Sequence, residues 1–179
     1  MRQLYCAFGL LLLMTVTAAA QDNPKAEVFG GYSYLRANPG LGVPGFNLNG
    51  GSGSVAFNPT KVIGIVGDFG VYHAGNIYGS GVGGNIVSYL FGPRLSYRRD
   101  RITPFAQVLF GGAHASGGGT SSNSFAMALG GGLDITATDH IAIRVIQGEY
   151  VMTRFNIIGV ATNQNNARIS AGVVFRFGK

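Results

Sequence analysis

Two residues of the chain are spaced for nucleophilic chemistry, His114 and Ser116, separated only by Ala115. On an extended segment, side chains two apart project to the same face, so the imidazole could take the proton of the Ser116 hydroxyl. Such a base also needs a group that fixes its tautomer, commonly a carboxylate. No Glu lies near the pair, and Ser116 opens the run Gly-Gly-Gly-Thr-Ser-Ser-Asn over residues 117–123. The pair therefore reads as the polar entry to a loop, and no catalytic residue is assigned. Gly79-Ser-Gly-Val-Gly-Gly84 has the glycine spacing of a dinucleotide site, but no helix or βαβ unit follows it, and it reads as a loop. His73, His114 and His140 are dispersed and share no paired spacing with a cysteine, so neither a metal nor a cofactor is expected.

The second chemically capable group is a set of nine charges: Glu27, Asp68, Asp134 and Glu149 against Arg94, Arg98, Arg144, Arg168 and Arg176. What they do depends on the elements that carry them. Past residue 20 no stretch approaches the ~20 apolar residues of a membrane helix. What recurs is a segment with period-2 alternation, closed by Gly, Pro, Asn or Asp. Eight such segments run over residues 26–36, 48–58, 62–73, 85–98, 103–114, 124–136, 141–153 and 167–178. Each reaches the ~9–11 residues that a membrane β-strand requires. Links 58–61, 99–102 and 137–140 are tight turns, while 37–47, 74–84, 115–123 and 154–166 read as longer loops rich in Asn, Gly and Ser. Alternating short and long links with an even strand count are the plan of a transmembrane barrel, with both termini on the short-turn side.

Alternation sorts the faces. Val87, Tyr89, Phe91, Leu95 and Tyr97 oppose Ser88, Gly92, Arg94, Ser96 and Arg98, and Ile63, Ile65, Phe69 and Val71 oppose Gly64, Asp68 and Gly70. An eight-stranded barrel has an interior only just wide enough for side chains, so the small and charged set belongs inside and the bulky apolar set faces lipid. The nine charges then form an interior network of salt bridges, a structural filling or a narrow ion path. Arg144 and Glu149 have opposite parity, so strict alternation would push one into lipid, and a β-bulge near Ile146-Gln147 is predicted to bring both inside. Tyr32, Tyr34, Tyr72, Tyr78, Tyr89, Tyr97, Phe105, Tyr150, Phe155, Phe175 and Phe177 are expected in aromatic girdles at the two interfaces.

Composition agrees with an exterior that avoids water. Only 11% of residues are charged and 30 are glycine, against about 25% charge in a typical soluble domain. Residues 1–20, with Arg2, the apolar run Leu4–Val16 and Ala18-Ala19-Ala20, read as a cleavable secretory signal peptide, leaving 21–179 as one barrel domain. Cys6, the only cysteine, falls in that leader, so no disulfide is expected in the exported chain. Without Arg2, 12 basic residues face 7 acidic ones, yet no basic cluster with interleaved aromatics supports nucleic-acid binding.

Glu27–Arg36, Thr103–His114 and the last strand, in which Ser170, Gly172, Phe175 and Phe177 stand near the C-terminus, resemble the small outer-membrane β-barrel family related to the transmembrane domain of OmpA. The resemblance covers residues 25–178 and implies an all-β, eight-stranded antiparallel up-and-down barrel in the outer membrane of a Gram-negative-type bacterium. It implies that the Ser170–Phe177 strand is the insertion signal read by the barrel assembly machinery, and that outer-membrane lipid and lipopolysaccharide surround a monomer. With nothing after Lys179, a peptidoglycan-binding domain is not expected. The implied role is a non-enzymatic, passive structural or surface-exposed one, with adhesion through the loops, and a narrow porin-like channel as the alternative. Outer-membrane lipid A deacylases use a His-x-Ser pair with a glutamate, and the similarity to them stops at the spacing of His114 and Ser116. The closing strand is expected to pair with the first, setting Arg168 and Arg176 beside Glu27.

Overall fold

The computed structural model of the protein describes residues 23–40, 42–77, 83–157 and 160–178. The leader read at 1–20 and Tyr78 lie outside them, and the side chain of Phe155 lies outside the described side chains. Eight strands form: β1 (Ala26–Ala37), β2 (Phe46–Phe57), β3 (Ile63–Ala74), β4 (Gly84–Ser96), β5 (Ile102–Gly117), β6 (Thr120–Thr136), β7 (Ile141–Ile157) and β8 (Val160–Phe177). Each pairs antiparallel with its sequence neighbours, and β8 returns to β1, closing the barrel. Closure leaves no unpaired strand edge, the condition for placing a sheet in hydrocarbon.

Burial follows the pleat. Along β3 the odd positions Ile63, Ile65, Phe69 and Val71 are exposed while Gly64, Val66, Asp68, Gly70 and Tyr72 are buried. Phe91 and Phe69 meet edge to face on the outside with centroids 5.8 Å apart, a cross-strand aromatic pair. The exposed apolar residues come from all eight strands, from Val28 on β1 to Phe177 on β8. A water-exposed monomer rarely carries so continuous an apolar surface.

The seam between β8 and β1 explains a glycine. Gly172 faces Gly31, and a Cβ added at Gly172 would stand 2.3 Å from the Gly30 carbonyl oxygen and 2.5 Å from the Gly31 Cα. Beside it the Ser170 and Ser33 hydroxyls are hydrogen-bonded inside the barrel, and Ser52 donates to Ser33 at 3.1 Å. Only small residues let the closing strands approach at this level.

Two links expected as loops are continuations of strands. β5 and β6 stay in register from Ile102↔Ile135 out to Gly117↔Thr120 and turn at Gly118 and Gly119. Both glycines have positive φ, 58° and 78°, as a two-residue hairpin turn requires. Likewise β7 and β8 pair out to Ile157↔Val160. Most asparagines of the links expected as long loops are therefore ladder residues: Asn47 lies on β2, Asn123 on β6, Asn156 on β7, and Asn163, Asn165 and Asn166 on β8. β5 to β8 have 16 to 18 residues and β1 to β4 have 12 or 13, so the longer half of the barrel projects at the end opposite the chain termini.

Candidate functional site

The interior charges gather because eight of the nine sit on the inward parity of their strands, and Arg98, two residues past β4, continues the parity of Arg94 and Ser96. β7 achieves this through the irregularity its sequence demands. Arg144 faces Asp134 and Gly172, while Gln147 faces Gly132 and Ser170, and the register slips between them. Val145 and Ile146 stand where β8 has one residue, and both are about half exposed on the outer face. Arg144, Gln147 and Glu149 consequently all point inward and are buried.

A single connected network results. Arg144 donates from Nε to Asp134 Oδ1 at 2.8 Å and from Nη2 to Oδ2 at 3.0 Å, a fork on a carboxylate, and from Nη1 to Gln147 Oε1 at 2.7 Å. Gln147 Nε2 donates to Glu149 Oε2 at 2.8 Å. Glu149 also receives Gln107 Nε2 at 2.9 Å and Arg168 Nε at 2.6 Å. Arg168 spans the lumen to Asp68 Oδ1 at 2.7 Å and to the Tyr72 hydroxyl at 3.1 Å. Arg94 joins by donating from Nε to Gln107 Oε1 at 2.9 Å. Toward the short-turn end Glu27 lies 3.8 Å from Arg94, 3.4 Å from Arg98 and 3.3 Å from Arg176. Thus Arg176 lies beside Glu27 as the pairing of β1 with β8 suggested, whereas Arg168 pairs with Asp68 and Glu149.

Several members carried no charge to announce them. Gln107 and Gln147 are the hinges that join the ion pairs, and both are buried. Tyr72 and Phe105, expected at an interface, are inside instead, because their positions share the parity of Asp68 and Gln107. The Phe105 ring lies between two guanidiniums, 4.6 Å from that of Arg94 and 4.4 Å from that of Arg144, and Phe29 flanks Arg144 at 4.4 Å. These faces give the buried cations partners that are not anions. Parity was the signal that would have found both rings.

Apolar side chains occupy the rest of the lumen. Val66, Leu90 and Leu109 are fully buried and pack with Ala56, Ala113, Ala126, Ala128 and Val151. Nearer the long-hairpin end, Leu35, Leu48 and Tyr72 form a second cluster joined by Phe46, Ile77 and Ile86. A void of about 20 Å³ lies between Tyr72, Ser88, Val151 and Arg168, room for roughly one water. At the mouth above, a cleft of about 620 Å³ opens over Leu48, Ile86 and Ala115.

His114 and Ser116 face outward at that end. His114 Nδ1 is 2.7 Å from Asn123 Oδ1 on the neighbouring strand, so its orienting partner is an amide and not a carboxylate. The same motif recurs one hairpin earlier, where His73 Nδ1 lies 2.8 Å from Asn85 Oδ1. Arg36 Nη1 donates to Asn47 at 2.6 Å, and Tyr32 Oη donates to Asn49 at 2.5 Å. Together these pairs form a polar collar directly beyond the apolar belt. Tyr32, Tyr89, Tyr97, Tyr150, Phe175 and Phe177 are exposed on the outer face.

No protein-family model and no curated protein matches the chain. Solved structures do. Neisserial surface protein A superposes with a TM-score of 0.68 at 15% identity, over 86% of this chain and 97% of that one. Ail, the attachment invasion locus protein of Yersinia pestis, gives 0.59 at 16% identity, over 87% and 99%. The outer membrane protein OprG of Pseudomonas aeruginosa gives 0.53 at 8% identity, over 88% and 97%. The chain has the fold of the small eight-stranded outer-membrane barrels.

Proposed function

We propose that the protein is an integral outer-membrane protein of a Gram-negative-type envelope, a sealed barrel that anchors its long hairpins at the cell surface in a structural or adhesive role. The observation that carries this reading is the inversion of the usual globular pattern. Arg94, Arg144, Arg168, Asp68 and Asp134 are at most 2% exposed, whereas Ile65, Phe69 and Phe91 are more than half exposed. Lipid is the solvent that rewards this arrangement, since a basic residue on the lipid face costs up to about 2–4 kcal/mol at the midplane. Outer-membrane lipid and lipopolysaccharide are the surroundings it suits, entered through the barrel assembly machinery as a monomer.

Conduction and catalysis are not part of the proposal. The forked Arg144–Asp134 pair, the Arg168 bridge and the Leu90–Leu109 cluster occupy the lumen in series. His114 Nδ1 is held by the Asn123 amide and not by a carboxylate, the commoner partner of a catalytic base. Adhesion is favoured by the projection of β5–β8, and attachment is the role printed in the name of Ail.

Membrane fractionation, gel migration with and without heating, and planar-bilayer recording of the purified protein test the proposal together. The expected result is resistance to carbonate extraction, a heat-dependent mobility change and no single-channel events. Release by carbonate without detergent would overturn the membrane assignment, and discrete conductance steps would overturn the sealed barrel.

A further inference from the structure

The interior ion pairs balance unevenly along the barrel. Asp134 is neutralised by the fork of Arg144, and the single cation Arg168 serves two carboxylates, Asp68 and Glu149. At the short-turn end the ratio reverses: among the ion pairs of the described residues, Glu27 faces Arg94, Arg98 and Arg176. Three guanidiniums around one carboxylate leave an excess of two positive charges in a region where Glu27, Arg94 and Arg176 are each more than nine-tenths buried. Buried cations without matching anions are costly, so another anion is called for.

Their hydrogen bonds are also incomplete. Arg176 spends Nη1 on the Thr136 hydroxyl at 2.7 Å, but its Nη2 has no hydrogen-bond partner among the described residues, and its Nε is 3.3 Å from Glu27 without hydrogen-bond geometry. Arg98 Nε and Arg94 Nη2 are buried and unpartnered as well. Arg176 and Arg98 line a cleft of about 500 Å³ that opens at this end, with Ser96, Thr136 and Lys61 on its walls. Asp100 and Asp139 also border it. They belong to exposed turns, and Asp100 lies 4.0 Å from Arg99.

We propose that this cleft is a binding site for a tetrahedral phosphate-type oxyanion, inorganic phosphate or a phosphomonoester, held by Arg176 and Arg98. Paired guanidinium forks suit phosphate oxygens, since each presents parallel N–H groups in one plane. Thr136 accepts from Arg176 and keeps its own hydroxyl proton to donate. Glu27 competes with the ligand for the same cations, and this gives the site a sign by which it can be recognised.

The test is titration of the intact barrel, refolded in a phosphate-free detergent, with sodium phosphate against sodium chloride at matched ionic strength. Thermal unfolding and calorimetry read the binding. A saturable rise in unfolding temperature specific to phosphate is expected, following the linkage of ligand binding to stability. Arg176→Gln should weaken binding at least tenfold, and Glu27→Gln should tighten it at least threefold. An Arg101→Gln rim variant, on the exposed turn and outside the lining of the cleft, should change it less than threefold. If Arg176→Gln does not fold, Glu27→Gln decides alone, because a merely structural carboxylate would not raise phosphate affinity when removed. No phosphate effect beyond chloride, equal affinity in Arg176→Gln, or weaker binding in Glu27→Gln would each overturn the assignment. So would loss of binding in the rim variant, which would place the anion on the exposed turn.

Discussion

Deleting Ile146 should leave the Arg144–Asp134 fork in place, so Arg144→Leu should cost as much in the shortened barrel as in the intact one. In the intact barrel the bulge at Val145-Ile146 holds Arg144 and Glu149 on one face despite their opposite parity. Removing one residue gives the two equal parity, and a regular strand then carries Arg144, Gln147 and Glu149 inward with Val145 alone between the first two on the outer face. The deletion loses one apolar side chain that is half exposed, a loss of at most about 1–3 kcal/mol. Arg144→Leu instead strands Asp134, 2% exposed, which loses both bonds of its fork, and breaking a buried pair costs about 3–5 kcal/mol. In the deletion background the same change should again cost about 3–5 kcal/mol, since the guanidinium it removes still faces inward. Urea unfolding in phospholipid vesicles, followed by tyrosine fluorescence and heat-dependent gel mobility, measures all four proteins. The chain has no tryptophan, so its tyrosines supply the signal. If Arg144→Leu is neutral or stabilising in the deletion background, the parity reasoning is refuted.

Three further outcomes are expected. Gly172→Val should leave most of the protein in the unfolded gel band, because its side chain would collide with the β1 backbone at Gly30 and Gly31, while Ala171→Val on the outer face should fold normally. Tyr72→Phe should lower unfolding free energy by about 1–2 kcal/mol, by removing an acceptor from the buried Arg168. Phe69→Arg should cost about 2–4 kcal/mol in bilayers, measured by urea midpoint, whereas Asn49→Arg in the polar collar should stay within about 1 kcal/mol.

Strand number, closure and facing were legible in the sequence because two different solvents act on the two faces. Lipid demands Ile65, Phe69 and Phe91 on one side, and a narrow lumen demands Gly70, Ser88 and Gly92 on the other, which leaves a period-2 signature wherever the strand lies in the membrane. Beyond the apolar belt that pressure ends. Residues 115–123 and the outer part of β8 are polar on both faces, so alternation disappears while the backbone ladder continues, and a polar run of Gly, Ser and Asn looks like a loop. The bulge was legible because Arg144 and Glu149 contradict each other. Gln107 and Gln147 raised no such contradiction, being neutral, and their role emerged only from their distances to Arg94, Arg144 and Glu149. For Tyr72 and Phe105 the residue type suggested an interface while their parity put them inside, and parity prevailed.

The pairing of Ala26 with Phe177 and of Lys25 with Gly178 ties the two ends of the described barrel together. The contact that completes the cylinder therefore joins residues about as far apart in sequence as the fold permits, so its loop-closure entropy is near the maximum for this chain. Synthesis must reach β8 before β1 can meet its last partner. Until then both β1 and the growing edge offer unpaired N–H and C=O groups next to apolar side chains, the conditions under which strands aggregate. A barrel closed this way commits to its structure in one late event, after its last strand is available.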